Sequence, residues 1–406
     1  GQAESQATIP SKVEDEWRAI VVPQTIAAQM TMFVITVDGK PYKFLKNEAF
    51  TYESGKMCNF TIRIDRKLDD GTFKLTLVGE SITDWDNDLV SHNAVAKEYF
   101  VVHSTPGGLR NAILDAGKDF RKIKNLKITG KIDLRDFYFM RDSMDMLSAL
   151  NLKQVRIKGY GRSSVYNIPC MDDQIPGEAF FRNDTGDGKL SLCSLMLPDT
   201  LVSIGNRAFR ACRNLTGSLV IPEGVVDIQQ GAFSECNNLN GTLTLPSTLK
   251  KLGNCGNDKN QDTRDEEIDY YGGVFQHCGF VGDLIIPDDV ELIRGYCFEC
   301  CEGFETLRLP NSLKRMGTRA FAFCRGLKGS LDIPLGITNI PQDAFRECQF
   351  DGTLHLHDGI TTIESNAFST NHFRGELILP KYLKTINNEA FRANNFSGTL
   401  HLPKTL

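Results

Sequence analysis

Residues 231–249 read GAFSECNNLNGTLTLPSTL, and versions of this stretch recur along the second half of the chain. Each copy has a phenylalanine, a cysteine or asparagine three residues later and a segment of the L-x-L type, and all but the last continue into a segment of the V-x-x-I type. Successive phenylalanines lie 23 or 24 residues apart, except across one interval of 42 residues that holds an insertion. A fixed period of this length predicts a solenoid in which each copy forms one coil. The phenylalanines are Phe209, Phe233, Phe275, Phe298, Phe321, Phe345, Phe368 and Phe391, and Phe180 marks a degenerate earlier copy.

The L-x-L segment predicts a short strand, because alternate residues of a strand point to opposite faces and both leucines then share the buried one. The proline that usually follows lacks the N–H needed to continue the ladder, so the strand ends there and the chain turns. One coil cannot bury its apolar face alone, whereas stacked coils can. The phenylalanines are therefore expected to form an internal column, each contributing roughly 2–3 kcal/mol through burial.

Half of the twelve cysteines belong to the repeat. Because Asn371 and Asn394 occupy the same position in the last two copies, the position predicts a buried side chain that makes a weak hydrogen bond. Coils about 4.8 Å apart would strain disulfides along the ladder, although at least one disulfide stays open as an alternative. The repeat cysteines are Cys212, Cys236, Cys278, Cys301, Cys324 and Cys348.

The complete unit, A-F-x-x-C-x-x-L, a glycine turn, L-x-[LI]-P and V-x-x-I, resembles the BspA-like, or treponemal-type, leucine-rich repeat of bacterial surface proteins. The resemblance covers residues 175–406, and proline replaces the asparagine of the commoner animal and plant repeat. Residues 104–174 are expected to form capping coils, in which a helix from Leu134 to Leu147 covers the open end. No closing cap is visible before Leu406, so we expect either that the native protein continues or that a partner covers that face.

The N-terminal part has a different pattern. Alternating apolar runs surround Asp38-Gly39 and Asp70-Gly71, which predicts two hairpins with tight turns. Short motifs here, among them Val22-Pro23-Gln24 and the segment 82–85, resemble the closing half of a fimbrillin-like domain. The predicted fold class is therefore mostly β with short helices: a disordered tail over residues 1–16, a small antiparallel sandwich-like β domain over residues 17–103, then a leucine-rich-repeat solenoid of about nine or ten coils.

The bulk composition excludes some partners. A net charge of −5 provides no polybasic region, so nucleic acid and anionic membranes are not expected partners. No apolar run approaches the ~20 residues needed to span a bilayer. The polar N-terminus is not a signal peptide, and we expect one to have been removed.

Two groups of residues have metal-ligand character. In the acidic insertion, residues 254–273, a calcium-loop spacing at positions 1, 3, 5 and 12 is filled by Asp258, Asn260, Asp262 and Asp269. The glycine that this loop needs is replaced by Thr263, so a solvated acidic loop is favoured. Cysteines and a histidine suited to zinc also occur, but two of the cysteines occupy ordinary repeat positions. This second group is Cys297, Cys300, Cys301 and His277.

No catalytic constellation is evident. His355, His357 and His401 lie in or beside strands without a nucleophile at a recognisable elbow, and residues 184–188 form a turn rather than a phosphate loop. We therefore predict that the chain is not an enzyme and needs no cofactor.

The outward positions of the L-x-L strands are the better candidates for function. Arg308, Asp332 and His355 come from three successive coils and are expected to lie in a row about 5 Å apart. Similarity to other leucine-rich repeats implies that this row lies on a concave, ligand-binding face. The alternative is a solvated sheet whose Thr and Ser satisfy β-propensity, with an Arg–Asp pair of little energetic value. Further candidates on the same face are Ile285, Ile378, Tyr382 and His401.

The resemblance to BspA-like proteins implies a secreted, cell-surface adhesion protein, lipid-anchored in the outer membrane, that binds an extracellular protein or glycan of host or bacterial origin. We expect such an adhesin to be a monomer. The alternative function is a structural or accessory subunit of a fimbria-like assembly, for which the N-terminal resemblance is the evidence.

Overall fold

The computed structural model describes residues 99–161, 169–253 and 272–406 with their side chains, and adds the backbone of Asn254 and of eight strands between residues 11 and 84. The chain divides into two compact units, residues 1–96 and 97–406.

The first unit contains antiparallel strand pairs. The predicted hairpins are confirmed, since strands flank both Asp-Gly turns in antiparallel register. One further pair includes residues 11–13, so the segment predicted as a tail ends in a strand pair. The pairs are Ser11–Val13 with Glu16–Arg18, Gln24–Ile26 with Phe50–Tyr52, Thr31–Val37 with Lys40–Leu45, and Lys56–Arg66 with Phe73–Asp84.

The second unit begins with a parallel sheet. Strand Phe100–Ser104 pairs with Asn125–Ile132, so residues 100–104 belong to the first sheet of the solenoid. A short helix, Leu109–Asp115, and a 3-10 turn, Phe120–Lys122, connect these two strands. The other members of the sheet are Ala149–Asn151, Val155–Ile157 and Ser194–Met196.

The predicted capping helix is present but shorter than expected. It spans Leu134–Ser143, because Met144 leaves helical geometry and the chain turns toward the next strand, whereas the sequence predicts an end at Leu147. Asp133 caps its N-terminus, accepting a hydrogen bond from the Arg135 N–H, and Asp136 bonds back to the Asp133 N–H. Phe137 and Met140 are fully buried, which packs the helix onto the core.

Two parallel ladders run along the coils. The V-x-x-I segments form a six-stranded and then a three-stranded sheet, which we name the V-x-x-I ladder: Gln174–Ile175, Ser203–Ile204, Asp227–Gln229, Lys251–Asn254, Leu292–Ile293, Arg315–Met316, Asn339–Ile340, Thr362–Ile363 and Thr385–Ile386. The L-x-L segments pair only two at a time after the first sheet: Leu219–Val220 with Leu243–Thr244, Val281–Ile285 with Gly303–Arg308, and Leu331–Asp332 with Leu354–His355. Two shorter pairs complete the unit: Phe181–Arg182 with Asp187–Gly188, and Arg374–Gly375 with Asn395–Phe396.

The solenoid makes about eleven turns between residues 100 and 396, against nine or ten predicted, because the N-terminal coils lack the repeat signature. The predicted phenylalanine column is confirmed. Nine rings from Phe180 to Phe391 stack with centroids 5.1–5.7 Å apart and planes within 23° of parallel. Eight of the nine are fully buried, and Phe391 is half-buried.

The cysteine position acts as the sequence predicts. In the coils from Cys236 to Cys348, the thiol lies 3.0–3.2 Å from the carbonyl oxygen of the phenylalanine one coil earlier. The Nδ2 of Asn371 donates to the equivalent oxygen of Phe345 at 2.8 Å. The ten cysteines among the described residues are free thiols. Burial raises the pKa of Cys212 to about 12 and also raises the pKa values of the other ladder thiols, so these groups are poor nucleophiles.

Candidate binding surface

Five coils carry the predicted ligand site on their L-x-L side. We name as the L-x-L strip the outward side chains of these segments together with the turns that follow them. The strands hold these side chains outward because their neighbours in sequence, such as Leu331 and Leu354, are buried. The strip comprises residues 283–289, 306–312, 330–336, 353–359 and 376–382.

The structure brings part of the predicted row together. Asp332 and His355 are direct partners in the parallel register, and the His355 Nδ1 hydrogen-bonds to Asp332 Oδ1. Ile285 is likewise opposite Arg308. The strands that carry Arg308 and Asp332 do not pair with each other, so the row consists of two registered pairs rather than one continuous ladder.

Arg308 makes a different ion pair from the one that the sequence suggested. Its Nη2 lies 2.6 Å from Asp288 Oδ1, in the turn of the preceding coil, rather than close to Asp332. Both side chains are largely exposed, so the pair contributes little to stability. The arginine is therefore held over the turn while Asp332 remains 80% exposed beside the histidine.

Exposed apolar side chains concentrate on this strip. Between residues 272 and 399, the exposed large apolar side chains are Val281, at the start of one L-x-L strand, Ile285, Leu335, Ile378 and Tyr382. Ile285 is 52%, Ile378 68% and Leu335 76% exposed. The V-x-x-I ladder contributes none in the same coils. Single exposed apolar residues are normal on a protein surface, so it is their restriction to one side of these coils that makes the strip the candidate surface.

The turn of the last strip coil is ordered by its neighbours. Lys381 donates its backbone N–H to Asp358 Oδ1 at 2.8 Å. The Lys381 ammonium also lies 5.0 Å from the centre of the Tyr382 ring, a cation–π contact. Tyr382 is thereby held at the surface, half exposed, one coil beyond His355. His401 is exposed outside the strip, in the final coil.

Sequence reasoning missed Leu335, the most exposed large apolar residue of the strip. It follows Pro334, at a position that other coils fill with polar residues such as Glu223, Ser247 and Asp288. That departure from the repeat was visible in the sequence and could have identified it. The Asp288 partner of Arg308 was also missed, because a contact between a strand and the turn of a neighbouring coil leaves no periodic signal.

The metal candidates have different outcomes. The calcium-loop residues Asp258, Asn260, Asp262 and Asp269 lie outside the described residues, so that site stays a prediction. Within residues 99–161, 169–253 and 272–406, the structure brings no three His, Cys, Asp or Glu side chains into a metal-binding group. Cys297, Cys300, Cys301 and His277 form no such group: Cys297 and Cys301 are fully buried, and the Cys301 thiol bonds to the carbonyl of Phe275. In the same described part of the chain, no helix has the length and apolar character needed to cross a membrane.

Comparison with known proteins supports the repeat assignment. Residues 181–259 and 267–397, more than half of the chain, match the family described as BspA type leucine-rich repeat region, in six copies. Residues 1–85 match the fimbrillin-like family. No curated protein matches the chain.

Three solved structures resemble parts of the chain. A leucine-rich repeat protein of T. pallidum is 23% identical, with 46% of this chain and 73% of that one covered and a TM-score of 0.33. One from Bacteroides ovatus is 18% identical, with coverages of 82% and 90% and a TM-score of 0.32. A leucine-rich cell surface protein of Faecalibacterium prausnitzii is 20% identical, with coverages of 69% and 82% and a TM-score of 0.33.

Proposed function

Because this chain belongs to the BspA-type leucine-rich repeat family, we propose that it is a cell-surface binding protein that engages a protein or glycan partner through the L-x-L strip. The observation that carries the proposal is the concentration of exposed apolar side chains on that strip, while the V-x-x-I ladder of the same coils has none. Interface cores gain most of their affinity from a few such anchors surrounded by polar groups.

Polar groups for orientation are present beside the apolar ones. Arg308, Asp332 and His355 supply donors and acceptors between Ile285 at one end and Ile378 at the other. Their exposed side chains contribute little to folding, so they are free to exchange their present contacts for contacts with a partner. This proposed binding role requires no catalysis and no cofactor.

The proposal places the protein outside the cell. The fimbrillin-like match over residues 1–85 supports secretion and display, because that family, like the BspA-type family, consists of bacterial surface proteins. In this proposal the N-terminal β domain tethers the solenoid, the coils that precede residue 175 cap it, and a lipid anchor in the outer membrane holds the whole protein. The partner is extracellular, either host or bacterial.

The test is a glycan and extracellular-matrix protein array probed with the full chain. Arg308→Ala combined with His355→Ala should weaken binding at least tenfold, about 1.4 kcal/mol, while the melting temperature stays nearly constant. The matched control is Thr338→Ala with Lys384→Ala, two exposed residues in the V-x-x-I segments of the same coils, which should leave binding unchanged. Equal binding by the wild type and the Arg308/His355 variant would move the site off this strip.

The fimbrillin-like match also favours the second candidate function, a structural or accessory subunit of a surface assembly. Light scattering on the full chain across a concentration series separates the two. An adhesin should stay monomeric and bind an array component, whereas an assembly subunit should oligomerise without any array ligand.

A further inference from the structure

We propose that the partner of the L-x-L strip is a cationic polypeptide segment that also carries aliphatic side chains. This inference rests on the proposed function and narrows its partner from any protein or glycan to one chemical class. It follows from two independent properties of the strip, its charge and the type of its exposed apolar groups.

The strip is acidic. Its exposed charged side chains comprise six carboxylates and two cations, Arg308 and Lys381, and it also carries the exposed His355, which bonds to Asp332. Arg308 forms an ion pair with Asp288, whereas the Lys381 ammonium contacts the Tyr382 ring and only the Lys381 backbone N–H bonds to Asp358. Among the described residues, no lysine or arginine side chain forms an ion pair with the other five carboxylates, Asp283, Asp289, Asp332, Asp358 and Glu376. Such a surface attracts cations and raises the association rate of a basic partner.

The V-x-x-I side of the same coils has the reverse charge balance, with more cations than carboxylates. The V-x-x-I segments between residues 290 and 386 contain three cations, Lys314, Arg315 and Lys384, and one carboxylate, Glu291. The Lys314 ammonium hydrogen-bonds to Glu291 at 2.9 Å and thereby lowers the pKa of that carboxyl. The acidity is thus a property of one face, although the net charge of the whole chain is only −5.

The exposed apolar groups favour a polypeptide over a glycan. Ile285, Leu335 and Ile378 are aliphatic, and aliphatic surface is buried most effectively against other apolar side chains. Sugar recognition commonly uses aromatic faces, and the strip offers one exposed aromatic ring, Tyr382, which Lys381 already contacts. Acidic groups also disfavour the sulfated and uronic-acid glycans that carry negative charge.

The length of the strip sets the size of the segment. Ile285 and Ile378 are four coils apart, and at the ring spacing of 5.4–5.6 Å in these coils that separation is about 22 Å. An extended segment rises about 3.3 Å per residue, so roughly seven residues reach from one isoleucine to the other. A second copy of this chain is a weaker occupant, because its basic V-x-x-I ladder presents no exposed large apolar side chain in these coils.

The experiment uses synthetic peptides of about twelve residues and the full chain. A labelled peptide repeating Lys-Lys-Leu-Leu presents both residue types on each face of an extended chain. Fluorescence anisotropy should show that the Lys-Lys-Leu-Leu peptide binds at least tenfold more tightly than a Lys-Lys-Ser-Ser peptide. A Glu-Glu-Leu-Leu peptide should bind more weakly than either of them. Two variants, Asp332→Asn with Glu376→Gln and Ile285→Ser with Ile378→Ser, should each weaken binding at least fivefold. The control Lys314→Gln with Lys384→Gln should not weaken it.

Each contrary result overturns a defined part of the inference. Equal affinity for the Lys-Lys-Leu-Leu and Lys-Lys-Ser-Ser peptides would mean simple charge attraction. Equal affinity for the Lys-Lys-Leu-Leu and Glu-Glu-Leu-Leu peptides would mean unspecific apolar adsorption. Self-association of the chain that the Ile285/Ile378 variant abolishes would assign the strip to a second copy. If an array partner loses affinity for the Arg308/His355 variant but the lysine–leucine peptide neither binds nor competes, the proposed function stands and this inference falls. If the peptide binds the strip while array binding ignores Arg308 and His355, the proposed function falls instead.

Discussion

Replacing Phe321 with alanine removes a ring from the middle of the phenylalanine column. Phe321 is fully buried, stacked 5.4 Å from Phe298 and 5.5 Å from Phe345 with planes within 5° of parallel. Phe→Ala in a core costs about 3–5 kcal/mol, a range that already includes lost ring contacts, and its upper half applies where the ring is stacked. Because both ring faces lose a partner, we expect a loss of about 4–5 kcal/mol.

The position along the column provides the matched control. Phe391, the last ring, is only half-buried and has one stacked partner, Phe368. Phe391→Ala should therefore cost about 1–2 kcal/mol, less than half of the central substitution. Phe321→Leu keeps most of the apolar volume, so it should fall between the two alanine variants.

The choice of assay matters because both tryptophans, Trp17 and Trp85, belong to the N-terminal unit. Tryptophan fluorescence would report on the wrong unit, so urea unfolding should be followed by far-UV circular dichroism. Hydrogen exchange should show the lost protection concentrated in coils next to Phe321, since each coil of a solenoid contacts only its neighbours. An unfolding midpoint that does not move, or equal losses for Phe321→Ala and Phe391→Ala, would refute the stacked-column argument.

Two further predictions concern other parts of the solenoid. Asn371→Ala should destabilise the protein by about 2–4 kcal/mol, because the Phe345 carbonyl and the Phe350 N–H both lose a buried hydrogen-bond partner. Asn371→Cys keeps the bond to the Phe345 carbonyl and should cost about 1 kcal/mol. Equal urea midpoints for the two variants would contradict this prediction. Replacing residues 256–270 with a short Gly-Ser linker should leave the melting temperature of the solenoid unchanged, because loop length costs little. Unfolding of that variant, or a rise of several degrees in the wild type with added calcium, would instead favour the metal interpretation.

The buried half of each coil could be predicted from the sequence because burial restricts residue type. The columns through Phe321 and Cys324 accept few alternatives, so they repeat with a fixed period and are visible without any structure. The exchange of cysteine for asparagine even indicated a buried hydrogen bond, although it did not identify the acceptor as a carbonyl of the preceding coil. The same reasoning placed Asp332 and His355 side by side on neighbouring coils, and the parallel register confirms this.

Features that depend on backbone conformation rather than on residue type could not be predicted. Most coils turn through left-handed backbone at the second residue before and after the phenylalanine, as at Arg319 and Phe323, with φ of 56° and 61°. A glycine in the sequence would have indicated such left-handed positions. Other coils instead have Glu347, Thr370 and Ala393 at these positions, with φ between 54° and 58°. The two sheets of the V-x-x-I ladder were missed for a related reason: most of their strands have only two residues, too few to show alternation.

The separation between buried and outward positions also explains why binding can be local in a regular solenoid. At the outward position of successive L-x-L segments, Val220 and Thr244 are half-buried, while Ile285, Arg308 and Asp332 are exposed. The leucine before each of these five residues stays buried or half-buried. A substitution at the outward position therefore leaves the packing of the buried leucines unchanged. Single coils can for this reason acquire charged or apolar surface independently of their neighbours. This independence is the reason that substitutions in the L-x-L strip should alter partner binding without moving the unfolding midpoint, whereas substitutions in the phenylalanine column should lower the midpoint.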